Sequence, residues 1–137
     1  KGELVTAHPD FQIVISYNPG YQSLMKDLKQ STKQRFAALD FEYPETDTEV
    51  EIVAHEAGID SAMAEKLVQV AHRSRNLKGH GLDEGMSTRL LVYAANLINK
   101  GINPVDACRM ALVRPLTDDP DMRDTLDAAV STYFPEN

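Results

Sequence analysis

Hydrophobic positions along the chain follow two different periods. Up to about residue 44 they come in short runs that read as strands. "ELVTAH" (residues 3–8) alternates apolar and polar positions, as a short strand or half of a hairpin does. "FQIVISY" (11–17) is a continuous apolar run with β-branched Ile13, Val14 and Ile15, the pattern of a strand buried on both faces. "ALDFEYP" (38–44) alternates Leu39, Phe41 and Tyr43 and stops at Pro44. Between the last two, "LMKDLKQSTKQRF" is long enough for helical turns, with Ser31 or Thr32 as a cap for the second.

After residue 46 the period is helical throughout. Thr46 or Asp47 can cap a helix with Val50, Val53, Ala54 and Ala57 on one face and Gly58 as its stop. Asp60 caps "SAMAEKLVQVAHRSRNL", with Met63, Leu67, Val70, Ala71 and Leu77 in phase. A glycine-rich loop, "LKGHGLDEG", follows. Ser87 caps "TRLLVYAANLINKG", Asn103 and Pro104 open "VDACRMALV", and Pro120 starts the last helix. The expected fold is mainly α with a partial α/β segment: residues 1–45 hold the end of an α/β core and 46–137 an all-helical bundle of about five helices. Three strand segments do not close a covered sheet, so the remaining strands are expected upstream of Lys1 or on another chain.

Composition narrows the function. The 137 residues are 42% apolar and 26% charged, ordinary for a globular protein able to bury a core. Net charge is −7, which argues against a nucleic-acid binder, because neutralising phosphates needs a basic face. The glycine turn near residue 58 resembles a helix-turn-helix, but no basic recognition face accompanies it. A single cysteine, Cys108, leaves no internal disulfide, fits a reducing cytoplasm, and reads as a small buried hydrophobe. No apolar stretch is long enough for a membrane span. His8, His55, His72 and His80 are scattered without metal-ligand spacing.

Three residues are candidates for chemistry. Asn18 ends the apolar strand, where an open parallel sheet presents ligands, and its amide could orient a water or bind a phosphate oxygen. The competing reading of Asn18-Pro19-Gly20 is a plain turn. Arg35 sits before Phe36, whose ring should anchor the local helix, and near Lys33; it suits a phosphate or a solvated basic turn. Arg89 opens an apolar helix, where its charge opposes the macrodipole. Such a local conflict can mark function; a salt bridge to Asp83 or Glu84 would also explain it.

In order, these signals resemble the second half of an AAA+ ATPase. "GMSTR" resembles the sensor 2 motif of the MoxR group, usually Gly-Ala-Ser-Pro-Arg, with departures at Met86 and Thr88. "HPDFQIVISYNPGYQ", "LKQSTKQRFAALDFEYP" and "TRLLVYAANLI" resemble the CbbQ/NirQ/NorQ branch. The resemblance implies that Asn18 is the sensor 1 residue, Arg35 an arginine finger acting on a neighbouring subunit, and Arg89 the sensor 2 residue contacting nucleotide. It also implies ATP and Mg²⁺, a homo-oligomeric ring (commonly a hexamer), and a partner with a von Willebrand factor A domain. The implied role is chaperone-like activation or maturation of a client enzyme of the Rubisco or nitric oxide reductase type. No G-x-x-x-x-G-K-[ST] loop and no hydrophobic strand ending in an acidic pair occur in these residues. Both are expected upstream, and the chain alone is expected not to hydrolyse ATP. A different class of function, a non-enzymatic helical module for protein interaction, is separated by whether a phosphate-binding loop precedes Lys1.

Overall fold

Capping and apolar phase define five helical segments in the second part of the chain. The computed structural model describes residues 2–16 and 30–135. These fall into two units, 1–41 and 42–137.

In the first unit a single helical turn, Gln30–Lys33, precedes Arg35. It begins one residue before Ser31, so Ser31 and Thr32 lie inside the turn instead of capping it. The anticipated strands are not shown: residues 2–8, 11–16 and 37–45 carry no strand pairing. An apolar run becomes a strand only against neighbours that satisfy its N–H and C=O groups. Among the described residues these segments do not pair with one another. Their apolar side chains stay open, with Leu4 96%, Val14 90% and Phe41 90% exposed. The partial α/β segment is therefore not shown among the described residues, and Tyr17 to Lys29, which include Asn18, lie outside them.

The second unit is the helical bundle. Helix α1 spans Thr46–Ala57, α2 Ser61–Arg75, α3 Thr88–Asn99, α4 Pro104–Cys108 and α5 Pro120–Tyr133. Three caps match the expectation. Asp60 accepts from the Met63 N–H at 2.9 Å, Ser87 from Leu90 at 3.4 Å, and Asn103 from Val105 at 2.9 Å. Pro104 and Pro120 sit in first turns, where a missing N–H costs nothing. α1 differs: its N-cap is Glu45, with no side-chain cap bond, so neither Thr46 nor Asp47 serves. It ends at Gly58, whose φ of 65° is the left-handed conformation that glycine adopts without strain.

α1 packs on α2 and α3, α3 on α4, and α2 on α5. Leu67, Leu91, Leu112 and Leu126 are fully buried where these faces meet. Full burial of each such side chain stabilises by roughly 1.5–3 kcal/mol. Cys108 joins them as a buried thiol, and burial pushes its pKa up to about 12, which leaves it unreactive. α4 continues into a π-helical segment, Arg109–Val113, closed by the Arg114 N–H donating to the Arg109 carbonyl at 3.1 Å. Asn99 at the end of α3 donates to the Ala57 carbonyl at 2.9 Å, tying α3 to the C-terminus of α1.

Candidate functional site

The start of α3 is held from below by charge. Glu49 lies one turn into α1, in phase with Val53 and Ala57, so the packing that buries those two also buries its carboxylate. A buried carboxylate needs donors, and three reach it. Arg75, in the last turn of α2, forms a two-pronged pair: Nη1 to Oε2 at 2.8 Å and Nη2 to Oε1 at 2.7 Å. The Thr88 hydroxyl donates to Oε1 at 2.6 Å. The third guanidinium nitrogen, Nε of Arg75, donates to the Met86 carbonyl at 3.0 Å.

The "GMSTR" segment is clamped residue by residue. Gly85 lies against Arg75: a Cβ there would sit 2.6 Å from Arg75 Cγ and 2.8 Å from its Cα, so only glycine allows the approach. Met86 is fully buried, and its N–H donates to Ser74 Oγ at 2.9 Å. Ser74, also fully buried, donates in turn to the Ala71 carbonyl at 2.8 Å. Ser87 caps the helix, and Thr88 binds Glu49. On the outer side the Tyr43 ring lies over the Arg75 guanidinium, 3.7 Å from Cζ. The two departures from the MoxR motif thus have structural reasons. Met86 fills the core, and Thr88 brings a hydroxyl to the carboxylate.

Burial pushes the Glu49 pKa up, but the hydrogen bonds from Arg75 and Thr88 and the charges of Arg75 and His72 outweigh it, leaving it below the ordinary carboxylate value. A lowered folded-state pKa contributes stability that is present above the unfolded value and lost as pH falls through the folded one. The stability gap between the native protein and Glu49→Gln is therefore expected to be constant at neutral pH. It should narrow as pH falls through the ordinary carboxylate value and towards the lower folded one. Urea melts of both proteins between pH 7 and pH 3 check this; a gap that widens in acid contradicts it.

Arg89 emerges from this clamp. It lies in the first turn of α3, its side chain is exposed, and among the described residues it makes no hydrogen bond or ion pair. The salt bridge to Asp83 or Glu84 that could have explained it is not formed. Arg35 is exposed in the first unit, just past the helical turn, with its backbone N–H donating to the Thr32 carbonyl at 3.1 Å; Phe36 beside it is half-buried. The histidines and carboxylates form no group of three that could hold a metal among the described residues. A groove between the π-helical segment and α5, lined by Arg109, Arg114, Arg123 and Asp127, offers no comparable free cation cluster among the described residues. Arg109 Nε lies 3.4 Å from Asp127 Oδ1, and Arg123 Nη2 donates to Asp118 at 2.7 Å.

The sequence singled out Arg89 as a candidate and gave no expectation of the clamp beneath it. The signal was a charged residue, Glu49, in phase with the apolar stripe of α1, and a serine, Ser74, in phase with that of α2.

Known proteins carry similar sequences over most of this chain. The chain is 72% identical over 134 residues to Protein CbbQ of Hydrogenophilus thermoluteolus, spanning 98% of this chain and 50% of that protein. It is 51% identical over 119 residues to the denitrification regulatory protein NirQ of Pseudomonas aeruginosa, spanning 87% and 46%. Identity to Protein NorQ of Paracoccus denitrificans is 48% over 133 residues, spanning 97% and 49%. The chain thus spans about half the length of the curated relatives it matches. The family described as CbbQ/NirQ/NorQ C-terminal matches residues 49–133, the bundle that contains the Glu49–Arg75–Thr88 clamp. On that match, which covers more than half of the sequence, the chain belongs to the CbbQ/NirQ/NorQ family.

Proposed function

We propose that this chain is the nucleotide-sensing C-terminal part of a ring-forming MoxR-type AAA+ ATPase. In this reading the ring couples ATP hydrolysis to activation or maturation of a client enzyme in the cytoplasm. The observation that carries the reading is Arg89: a cation without a partner among the described residues, on the positive end of a helix whose start is fixed by buried hydrogen bonds. Such a group fits an anion better than it fits its own protein. Arg89 would hold a phosphate of the nucleotide, in the sensor 2 role. Asn18 would orient the attacking water as sensor 1, and Arg35 would act on the nucleotide of a neighbouring subunit. ATP supplies the phosphoryl group. Mg²⁺ and most of the triphosphate would be held by sequence corresponding to the half of the relatives that this chain does not span.

The ring, commonly a hexamer in the group, follows from a finger that needs a neighbour. A partner with a von Willebrand factor A domain and a client of the Rubisco or nitric oxide reductase type are carried by the family resemblance. Cytoplasmic placement is compatible with the described helices, none of which is long and apolar enough to cross a membrane.

Arg89→Ala in the full-length protein tests the reading. A hydrogen-bonded charge pair contributes about 1.5–3 kcal/mol, so affinity for ATP is expected to fall roughly 10- to 100-fold. The bundle should melt as before, because the side chain is exposed. Unchanged affinity overturns the sensor role and favours the interaction-module alternative.

A further inference from the structure

We propose that Glu49 and Thr88 form a latch that sets the direction in which Arg89 leaves α3, making both of them positioning residues for the nucleotide contact. The inference rests on the sensor reading of Arg89 given above.

The bond between them exceeds what either needs locally. Helix α3 already has a cap, because Ser87 accepts from Leu90. Thr88 is the first residue of α3, where Pro or another good starter would serve as well. Glu49 already has Arg75 on both oxygens. What the 2.6 Å hydroxyl bond adds is a tie from α1 to the residue immediately before Arg89. A first helical turn is otherwise free to fray, since its N–H groups have no partners within the helix. Tying Thr88 to a fully buried side chain removes that freedom at the place from which Arg89 projects.

The latch is rigid in depth. Glu49 is gripped by Arg75, Arg75 is held at the Met86 carbonyl, and its face is covered by the Tyr43 ring. Its charges also balance. The carboxylate favours the positive end of α3, while Arg75 neutralises it. Among the described residues Arg89 is left as the exposed, uncompensated charge, so the latch orients the cation without quenching it.

The hydroxyl can be removed without breaking the helix. Thr88→Val keeps the branched shape, Thr88→Pro keeps the helical start, and Thr88→Ser keeps the bond. In each, both Arg75 bonds to Glu49 remain possible. The test is a double-mutant cycle in the full-length protein, with affinity for ATP and the thermal midpoint read on Thr88→Val, Arg89→Ala and the pair. Loss of one positioning hydrogen bond should lower ATP affinity about 2- to 10-fold in Thr88→Val. Thr88→Ser should restore it, and Thr88→Val should add nothing once Arg89 is alanine. If Thr88→Val does not fold, Thr88→Pro takes its place in the same cycle. An equal loss in both backgrounds, or unchanged affinity in Thr88→Val, overturns the latch while leaving the sensor role intact. Unchanged affinity in Arg89→Ala overturns the sensor role and the latch with it.

Discussion

Replacing Glu49 with alanine is expected to destabilise the helical bundle by about 3–5 kcal/mol, the cost of leaving one charge of a buried pair without its partner. Glu49 is 0% exposed and the Arg75 side chain 11%, so water cannot readily replace the lost carboxylate. Arg75 would keep its bond to the Met86 carbonyl and its stack on Tyr43, but two of its three donating nitrogens would lose their acceptor. The Thr88 hydroxyl would lose its acceptor too. For a bundle of this size the loss corresponds to a drop in melting temperature on the order of 20 °C. Glu49→Gln, which keeps the shape and one acceptor, should lose less. Replacing both charges with apolar side chains, Glu49→Leu with Arg75→Met, should be milder than either single change, because no unpaired charge stays behind. Calorimetry on the four proteins decides. A Glu49→Ala midpoint within a few degrees of the native one would mean that the pair is exchanged for water, and the clamp would not be rigid.

The clamp also shows where the sequence was legible and where it was not. The bundle could be read because its signals are local. Asp60, Ser87 and Asn103 announce helix starts by bonding to N–H groups two or three residues on, and Gly58 announces a stop by its conformation. None of these depends on distant residues. Glu49 is different. A glutamate early in a helix reads as a solvated residue favouring the positive helix end. Its partner Arg75, 26 residues later, reads as a basic residue suiting the negative end of α2. Each is explained locally, so nothing prompts a search for the pair. Only phase betrays them: Glu49 falls in step with Val53 and Ala57, and Ser74 with Leu67, Val70 and Ala71. The π-helical turn at Arg109–Val113 leaves no such trace, because "RMALV" has the composition of any buried helix.

The strands are not shown among the described residues, for the opposite reason. "FQIVIS" and "ALDFEYP" carry strong strand composition, but composition reports a preference for a pleated, buried setting and cannot supply the neighbour. In this chain Phe11, Ile13 and Val14 remain exposed, and no ladder forms among the described residues. Helices satisfy their backbone within one segment and strands do not. That difference is why the half of the reading that concerned helices transferred to the structure and the half that concerned the sheet is not shown among the described residues.

Arg35→Ala is expected to have the larger functional effect. On the proposed reading, Arg35 offsets the charge that develops on the transferred phosphoryl group in a neighbouring subunit. Arginine fingers contribute roughly 10³–10⁵-fold in kcat. The arginine is exposed and hydrogen-bonded only through its backbone N–H among the described residues, so its loss should leave folding intact. Because a finger acts across an interface, two further consequences follow. Hydrolysis per subunit by the native full-length protein should rise with protein concentration as rings assemble. The variant should lose most of that activity while still binding ATP, since binding is the work of its own subunit. Hydrolysis measured across a range of concentrations, alongside nucleotide affinity, separates the cases. A variant that loses affinity and rate together would place Arg35 in its own subunit's nucleotide site. A variant that hydrolyses normally would leave Arg35 as a solvated basic residue, and the interface would have to draw its catalytic cation from elsewhere in the ring.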